Sequence, residues 1–359
     1  MPTLRPVPTD RFCPVKVLIV KLSSLGDVVH AMPAVQDIRL AFPHAEIDWV
    51  VEPGFASLVR RCSGVHRVIA CSLRAWRKAP FSAATRQAWA SFKAELQAET
   101  YDAVIDLQGL TKSALVARLA RLTSRGQRYA LANGTDGSSY EAPTRWVADV
   151  AIHIPPHSSA VQRSRALCAL ALGYAVPTSV DHYGLVAQAG QSSVAINSIV
   201  IDAFCHPVAV PVVALVHGTS RADKLWPEAH WVALAERLMQ SGCEIALLHG
   251  NDEEQARSTR LAQALPGAGV HIWPRLSLDA LTDQLAGTAG VIGVDSGLSH
   301  IAVALNLSHV QLYNFDTAWR TGPHASRQRS VFATPCPSVE SVWQAWLVVS
   351  MVQEASATA

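Results

Sequence analysis

Four loops in the sequence combine residue types that can do chemistry, and each follows an apolar run. The first, Ser23-Ser24-Leu25-Gly26-Asp27, carries hydroxyls and one carboxylate. Asp27 can serve as a general base toward a hydroxyl nucleophile, or it can cap the helix that it opens, a role worth about 1 kcal/mol. The second, His217 to Pro227, brings Thr219, Ser220, Arg221 and Lys224 together. Hydroxyls and cations suit a diphosphate, and Lys224 can offset the charge that develops on a nucleotide leaving group; a solvated lysine beside a Trp-Pro helix start is the plainer reading. The third, Gly293 to His300, reads as a strand end, a tight turn and a first helical turn. Backbone N–H groups at such a turn point at anions, so Ser296 and Gly297 would admit a diphosphate, His300 would add a hydrogen bond and Asp295 would hold a sugar hydroxyl, unless Asp295 or Ser296 simply caps the helix. The fourth, His249 to Glu254, ends in three carboxylates. One of them can take the two hydroxyls of a ribose, although an acidic first turn is also ordinary helix chemistry.

A separate cationic set, Arg74, Arg77, Lys78, Lys112, Arg163 and Arg165, offers phosphate- or carboxylate-binding groups for an acceptor. Around Arg74 the neighbours Trp76, Pro80 and Phe81 make the segment amphipathic, as a contact with lipid head groups requires. The first loop has one glycine, Gly26, so the G-x-G-x-x-G fingerprint is missing and a dehydrogenase or epimerase using a dinucleotide loses its main support. No D-x-D metal motif stands beside the nucleotide loops.

Apolar strands and amphipathic helices alternate around these loops. Val15 to Lys21, Glu46 to Glu52, Arg67 to Ala70 and Tyr101 to Asp106 read as strands, with helices over Asp27–Ala41, Gly54–Arg61 and Thr111–Leu122. Residues 72–100 read as a basic loop followed by a long helix, and Ala132 to Ser139 as a mobile surface loop. A second series follows: strands at Val212–His217, Glu244–His249 and Gly290–Asp295, with helices at His230–Ser241 and Asp252–Leu265. The pattern predicts an α/β chain with two Rossmann-like, doubly wound domains facing a central cleft, and ligands outside the carboxyl ends of the strands. The expected divisions are an extension at 1–14, a first domain at 15–190, a linker at 191–209, a second domain at 210–338 and a final helix at 339–359, which can cross back to the first domain.

At 359 residues, half of them apolar and 16% charged, the chain has the core material for two domains and is neither disordered nor fibrous. The net charge of +2 argues against bulk nucleic-acid binding, yet it is unevenly spread. Residues 1–190 hold 21 Lys and Arg against 14 Asp and Glu, whereas the remainder holds 9 against 14. An anionic partner docking on the basic half would explain the asymmetry. The seven cysteines show no C-x-x-C pair or metal spacing and read as thiols in a reducing compartment. Prolines and charges interrupt both the N-terminus and the apolar region at 194–216, so neither a signal peptide nor a membrane span is expected. A cytoplasmic location is expected, with peripheral contact with a membrane left open.

Six segments together carry a family resemblance: VLIVKLSSLGDVVHAMPA (17–34), IDWVVEPGFA (47–56), RAWRKAPFS (74–82), LQAETYDAVIDLQGLTKSALVARLA (96–120), TSRADKLWPEAHW (219–231) and VDSGLSHIAVAL (294–305). Spread over nearly the whole chain, they resemble the lipopolysaccharide heptosyltransferases of glycosyltransferase family 9, and within it the type I branch. The resemblance implies a GT-B enzyme that moves L-glycero-D-manno-heptose from ADP-heptose to the first Kdo of Kdo2-lipid A, inverts the anomeric centre and needs no cofactor. It assigns the base to Asp27 and the phosphate-side cation to Lys224. Thr219, Ser220, Glu254, Asp295, Ser296, Gly297 and His300 fall to the donor; Ser24, Gly26 and the six cations above are our acceptor candidates.

One segment departs from the family pattern. A Gly-Pro-Thr type loop is usual after Val310-Gln311-Leu312-Tyr313, but this chain reads Asn314-Phe315-Asp316-Thr317 and lacks the glycine's backbone freedom. Donor choice is therefore open, and a related family 9 transferase with another sugar nucleotide or acceptor, such as a heptosyltransferase II-like enzyme, is the alternative. A non-catalytic nucleotide-binding protein is a further one, against which intact Asp27 and Lys224 argue.

Overall fold

The computed structural model describes residues 15–179, 181–188, 199–201, 207–265 and 267–357. The expected extension at 1–14 lies outside them, as does most of the expected linker. The chain divides into two compact units, Met1–Val186 and Ala187–Ala359.

In the first unit, β1 (Lys16–Val20), β2 (Glu46–Val51), β3 (Val65–Ala70), β4 (Thr100–Asp106), β5 (Arg121–Leu131) and β6 (Val150–Ile152) form one sheet in the order β3-β2-β1-β4-β5-β6. Every pairing is parallel. Helices cover the sheet, so strands such as VLIV are apolar on both faces instead of alternating. One core cluster joins Leu18, Val20, Val50, Ile69 and Val104 to Phe92 and Leu96 of the Ala83–Leu96 helix. Register brings three strand ends level: Val20 lies opposite Val50 on one side and Asp106 on the other. The loops after β1, β2 and β4 therefore open on one edge of the sheet, where the strand order reverses.

The second unit begins with an antiparallel pair, β7 (Ile199–Ile201) and β8 (Pro207–Ala209). Then β9 (Val212–Val216), β10 (Glu244–Leu247), β11 (Val270–Ile272), β12 (Gly290–Val294), β13 (His309–Tyr313) and β14 (Gln328–Phe332) build a second parallel sheet in the order β11-β10-β9-β12-β13-β14. The topology of the first sheet is thus repeated. The last helix, Val339–Ala357, seats Val342, Trp346 and Val349 in this unit's core beside Trp226, Trp231 and Leu312. Gly290 permits the approach, because a Cβ there would lie 2.7 Å from the Trp346 ring and 2.5 Å from the Ser308 carbonyl.

Several local expectations are corrected. The first helix starts at Leu25, not Asp27, and a short helix, Leu73–Lys78, occupies the expected basic loop. β5 and β6 were not foreseen, and the stretch read as a mobile loop buries Thr135.

Candidate functional site

In the first unit the carboxyl edge gathers a polar cluster around Asp27. The chain leaves β1 through Lys21, which is buried and donates from Nζ to the Leu107 carbonyl at 3.1 Å. Gln108 Oε1 accepts from the Leu22 and Ser23 amides, each at 3.0 Å, and so ties the loop after β1 to the loop after β4. Asp27 is then the third residue of the Leu25–Ala41 helix, with Ser24 at the N-cap. Its Oδ2 accepts from the Ser24 amide at 3.1 Å and the Ser24 hydroxyl at 2.8 Å. The carboxylate therefore caps the helix and still turns a partly open side, 36% exposed, to solvent.

Cations hold Asp27 ionised. Its Oδ1 lies 3.8 Å from Lys21 Nζ and 4.0 Å from Arg163 Nη2. Burial alone would raise its pKa, but the Lys21 ammonium and the Ser24 hydrogen bond outweigh burial and hold the carboxyl below the usual carboxylate range. Burial also lowers the Lys21 pKa, with Asp27 pulling the other way. Below them, burial pushes Asp106 up to about 6, even though it accepts from the Gln108 and Gly109 amides and from Ser113 Oγ.

Glu52, at the end of β2, organises the neighbouring cations. Its Oε1 lies 3.0 Å from Arg74 Nε and 3.8 Å from Lys112 Nζ, and Lys112 also donates to Ser23 Oγ at 3.2 Å. Arg163 donates to Thr135 Oγ1 at 2.8 Å while reaching toward Asp27. Gly26 lies in the first helical turn, and Arg77 and Lys78 are exposed on the Leu73–Lys78 helix. Arg165 is not brought to this cluster. Its guanidinium is bidentate on Asp37, at 2.7 and 3.0 Å, and also binds Asp181 at 2.7 Å. Asp37 lies ten residues along the helix from Asp27, about 15 Å at the helical rise. Sequence reasoning missed Lys21, Glu52 and Gln108; for the first two the signal was a charge closing an apolar strand.

In the second unit the carboxyl edge converges on Asp295, which follows β12. Lys224 Nζ donates to its Oδ2 at 2.6 Å, while His300 Nε2 lies 3.3 Å from Oδ1, and Gln311 and Thr321 each approach Oδ1 at 3.4 Å. Burial opposes ionisation, but His300 and Lys224 prevail and hold Asp295 below the usual carboxylate range. The residue read as a sugar-hydroxyl acceptor is thus paired with the lysine read as a phosphate ligand. Thr219 Oγ1 donates to the Asp295 carbonyl at 3.3 Å, and Ser220 is exposed one position on. Ser296 is the N-cap of the Gly297–Ala304 helix, and its buried Oγ has no hydrogen-bond partner among the described residues. Glu254 Oε2 accepts from the Gly250 amide at 2.7 Å, and its carboxyl packs over Gly218, where a Cβ would lie 2.6 Å from Cδ. That contact joins the loop after β10 to the loop after β9. Among the described residues no group of three or more His, Cys, Asp or Glu is arranged to hold a metal ion.

The arrangement offers one carboxylate among cations on the first sheet, and hydroxyls, a lysine and a helix N-terminus on the second. Known proteins resemble this chain over most of its length. Residues 89–343 match the family model "Glycosyltransferase family 9 (heptosyltransferase)". The lipopolysaccharide heptosyltransferase 1 of Escherichia coli K12 is 39% identical over 299 residues, covering 83% of this chain and 87% of that protein. The structure of E. coli heptosyltransferase WaaC with ADP superposes with a TM-score of 0.77 at 35% identity, over 95% of this chain and 99% of that one. WaaC with ADP-2-deoxy-2-fluoro heptose gives 0.73 at 34% identity, over 95% and 100%. With two repeated parallel α/β sheets and a family match over most of its length, the chain belongs to glycosyltransferase family 9 and has the GT-B fold of that family.

Proposed function

We propose that this chain transfers L-glycero-D-manno-heptose from ADP-heptose to the first Kdo of Kdo2-lipid A, with inversion, in building the lipopolysaccharide core. The observation that carries the reading is the Lys224-Asp295-His300 cluster, with Thr219, Ser296 and Glu254 beside it, in a chain 35% identical to a heptosyltransferase solved with ADP. ADP-heptose would lie against these loops, its ribose on Glu254 and its diphosphate on Thr219, Ser220, Ser296, Gly297 and Lys224. Lys224 would leave Asp295 for the phosphates as negative charge builds on departing ADP. Asp295 would then accept from the sugar.

Asp27 takes the proton of the acceptor hydroxyl while that oxygen forms its bond to the anomeric carbon and the bond from that carbon to the phosphate oxygen breaks. A carboxylate held this acidic is a weak base toward a free alcohol. Two effects offset that weakness. The hydroxyl acidifies as its bond to the electron-poor carbon develops, and the anionic Kdo, drawn by Arg74, Lys112 and Arg163, offsets the Arg163 charge that stands 4.0 Å from Asp27.

The exposed cations Arg77 and Lys78, with Phe81 88% exposed beside them, support peripheral docking at the cytoplasmic face of the inner membrane. Among the described residues no helix is long and apolar enough to cross a membrane. Binding to vesicles containing anionic lipid that weakens with salt, and weakens again in Phe81→Ser, would support docking; binding equal to that of neutral vesicles refutes it.

The deciding experiment is transfer from ADP-heptose to deacylated Kdo2-lipid A, read by mass spectrometry. A product heavier by one heptose is expected from the wild type, but not from Asp27→Ala or Lys224→Ala. Folded, ADP-binding wild type that yields no product refutes this donor and acceptor pair and redirects the assay to other sugar nucleotides and to acceptors that already carry heptose.

A further inference from the structure

The segment that departs from the family pattern is built into the donor side of the second unit. Asn314 follows β13 directly, next to β12, the strand that Asp295 follows. Its carboxamide is buried, and Nδ2 donates to two backbone carbonyls, Asp223 and Leu225, both at 3.0 Å. Those carbonyls flank Lys224, which closes the short 3₁₀ turn Ala222–Lys224. Of the two ends of the carboxamide only the nitrogen can donate to two carbonyls, so the orientation of the side chain is fixed by its partners. Lys224 itself is held by its amide, which donates to the Arg221 carbonyl at 3.1 Å, and by its ammonium on Asp295.

We infer that Asn314 is a positioning residue for Lys224: by clamping the carbonyls before and after it, Asn314 fixes where the ammonium stands before the donor arrives. The inference rests on the proposed role of Lys224 as the cation for the donor diphosphate. It gives this chain's Asn-Phe-Asp-Thr loop a function different from backbone freedom. A glycine at this position could not make the clamp, since the clamp is made by a side chain. With the turn fixed, Lys224 can exchange Asp295 for a phosphate by moving its side chain alone, and little conformational freedom is lost on binding.

The test is a double-mutant cycle on the full chain with ADP as ligand, read by calorimetry, on Asn314→Ala, Lys224→Ala and the double variant. Asn314→Ala is expected to weaken ADP binding on the order of tenfold, the scale of two neutral hydrogen bonds. Combined with Lys224→Ala, it should add less than about twofold, the sign of one shared route. Asn314→Asp, which sets a carboxylate against two carbonyls, should weaken binding further. In steady state, KM for ADP-heptose should rise and kcat fall, with KM for the acceptor unchanged. Thermal unfolding of each variant, with Asn314→Ser in place of any that is unfolded, separates loss of the clamp from loss of the fold. Full additivity, or undiminished ADP binding in a folded Asn314 variant, overturns the inference while leaving the proposed function standing. Wild type that binds no ADP, or Lys224→Ala that binds it as well as wild type, instead overturns the role given to Lys224.

Discussion

Lys21 Nζ stands 3.8 Å from Asp27 Oδ1, the buried lysine just after β1 and the carboxylate in the first turn of the helix that follows. A buried ammonium needs a counter-charge, and Lys21 has Asp27 in front of it and Asp106 behind. The lysine therefore sets the acidity of the proposed base. Lys21→Met keeps the length of the side chain but removes the charge, leaving Asp27 with the burial that raises its pKa. The wild-type acid limb due to Asp27 is expected below the ordinary carboxylate range. In Lys21→Met that limb of kcat/KM should move up by about 1–3 units, the usual effect of losing an adjacent cation. An unshifted limb in a folded variant would show that Lys21 does not govern Asp27.

The cap and the base can be separated. Asp27→Asn keeps an oxygen that accepts from the Ser24 amide but cannot take a proton, whereas Asp27→Ala loses both functions. Turnover should fall by about 10²–10⁴ in both variants. Both variants leave the Lys21 ammonium without this counter-charge, so the cap is read as the difference between them: Asp27→Ala should be less stable than Asp27→Asn by about 1 kcal/mol, measured by denaturant unfolding. An active Asp27→Asn would leave the residue with its capping role alone.

Asp295 predicts a pH dependence of stability. Its folded-state pKa lies below 3.8, the ordinary value, because His300 and Lys224 favour the ionised form over the opposing burial. A depressed carboxylate contributes stability that is present above the unfolded pKa and is lost as pH falls through the folded one. The stability gap between wild type and Asp295→Asn should therefore be level from about pH 5 upward and shrink below about pH 4. Denaturant midpoints across that range measure it. A gap that widens on acidification would contradict the pairing with Lys224.

Local order was easier to read in the sequence than long-range pairing. The runs VLIV and VVALV announce buried parallel strands, and the glycine and hydroxyl loops that follow mark where they end. β5 escapes a sequence reading because its first eight residues, Arg121 to Arg128, are mostly polar and none is fully buried, so apolar patterning has nothing to report. Lys224 and Asp295 read as separate ligands in the sequence because they are 71 positions apart, and only the sheet order that sets β9 beside β12 brings their loops together. Asn314 looked like a lost glycine for the same reason: both of its partners lie about 90 residues earlier. Nor can a sequence show which of two like residues is already engaged.

Arg163 and Arg165 make that last point testable. Two positions apart on the Ala160–Leu172 helix, they project about 200° apart. Arg163 reaches Thr135 and the Asp27 side, whereas Arg165 joins Asp37 and Asp181 in a buried network. Removing one partner from a buried ion pair costs about 3–5 kcal/mol, because the other charge is left uncompensated. Arg165→Met should therefore lower stability by that amount while leaving KM for the acceptor unchanged in the folded fraction. Arg163→Met should instead raise KM for the Kdo-bearing acceptor and hold KM for ADP-heptose constant, as expected of a cation that serves the acceptor's carboxylate. If Arg165→Met raised the acceptor KM as much as Arg163→Met, the two faces of the helix would share one role, and the division drawn from their contacts would be wrong.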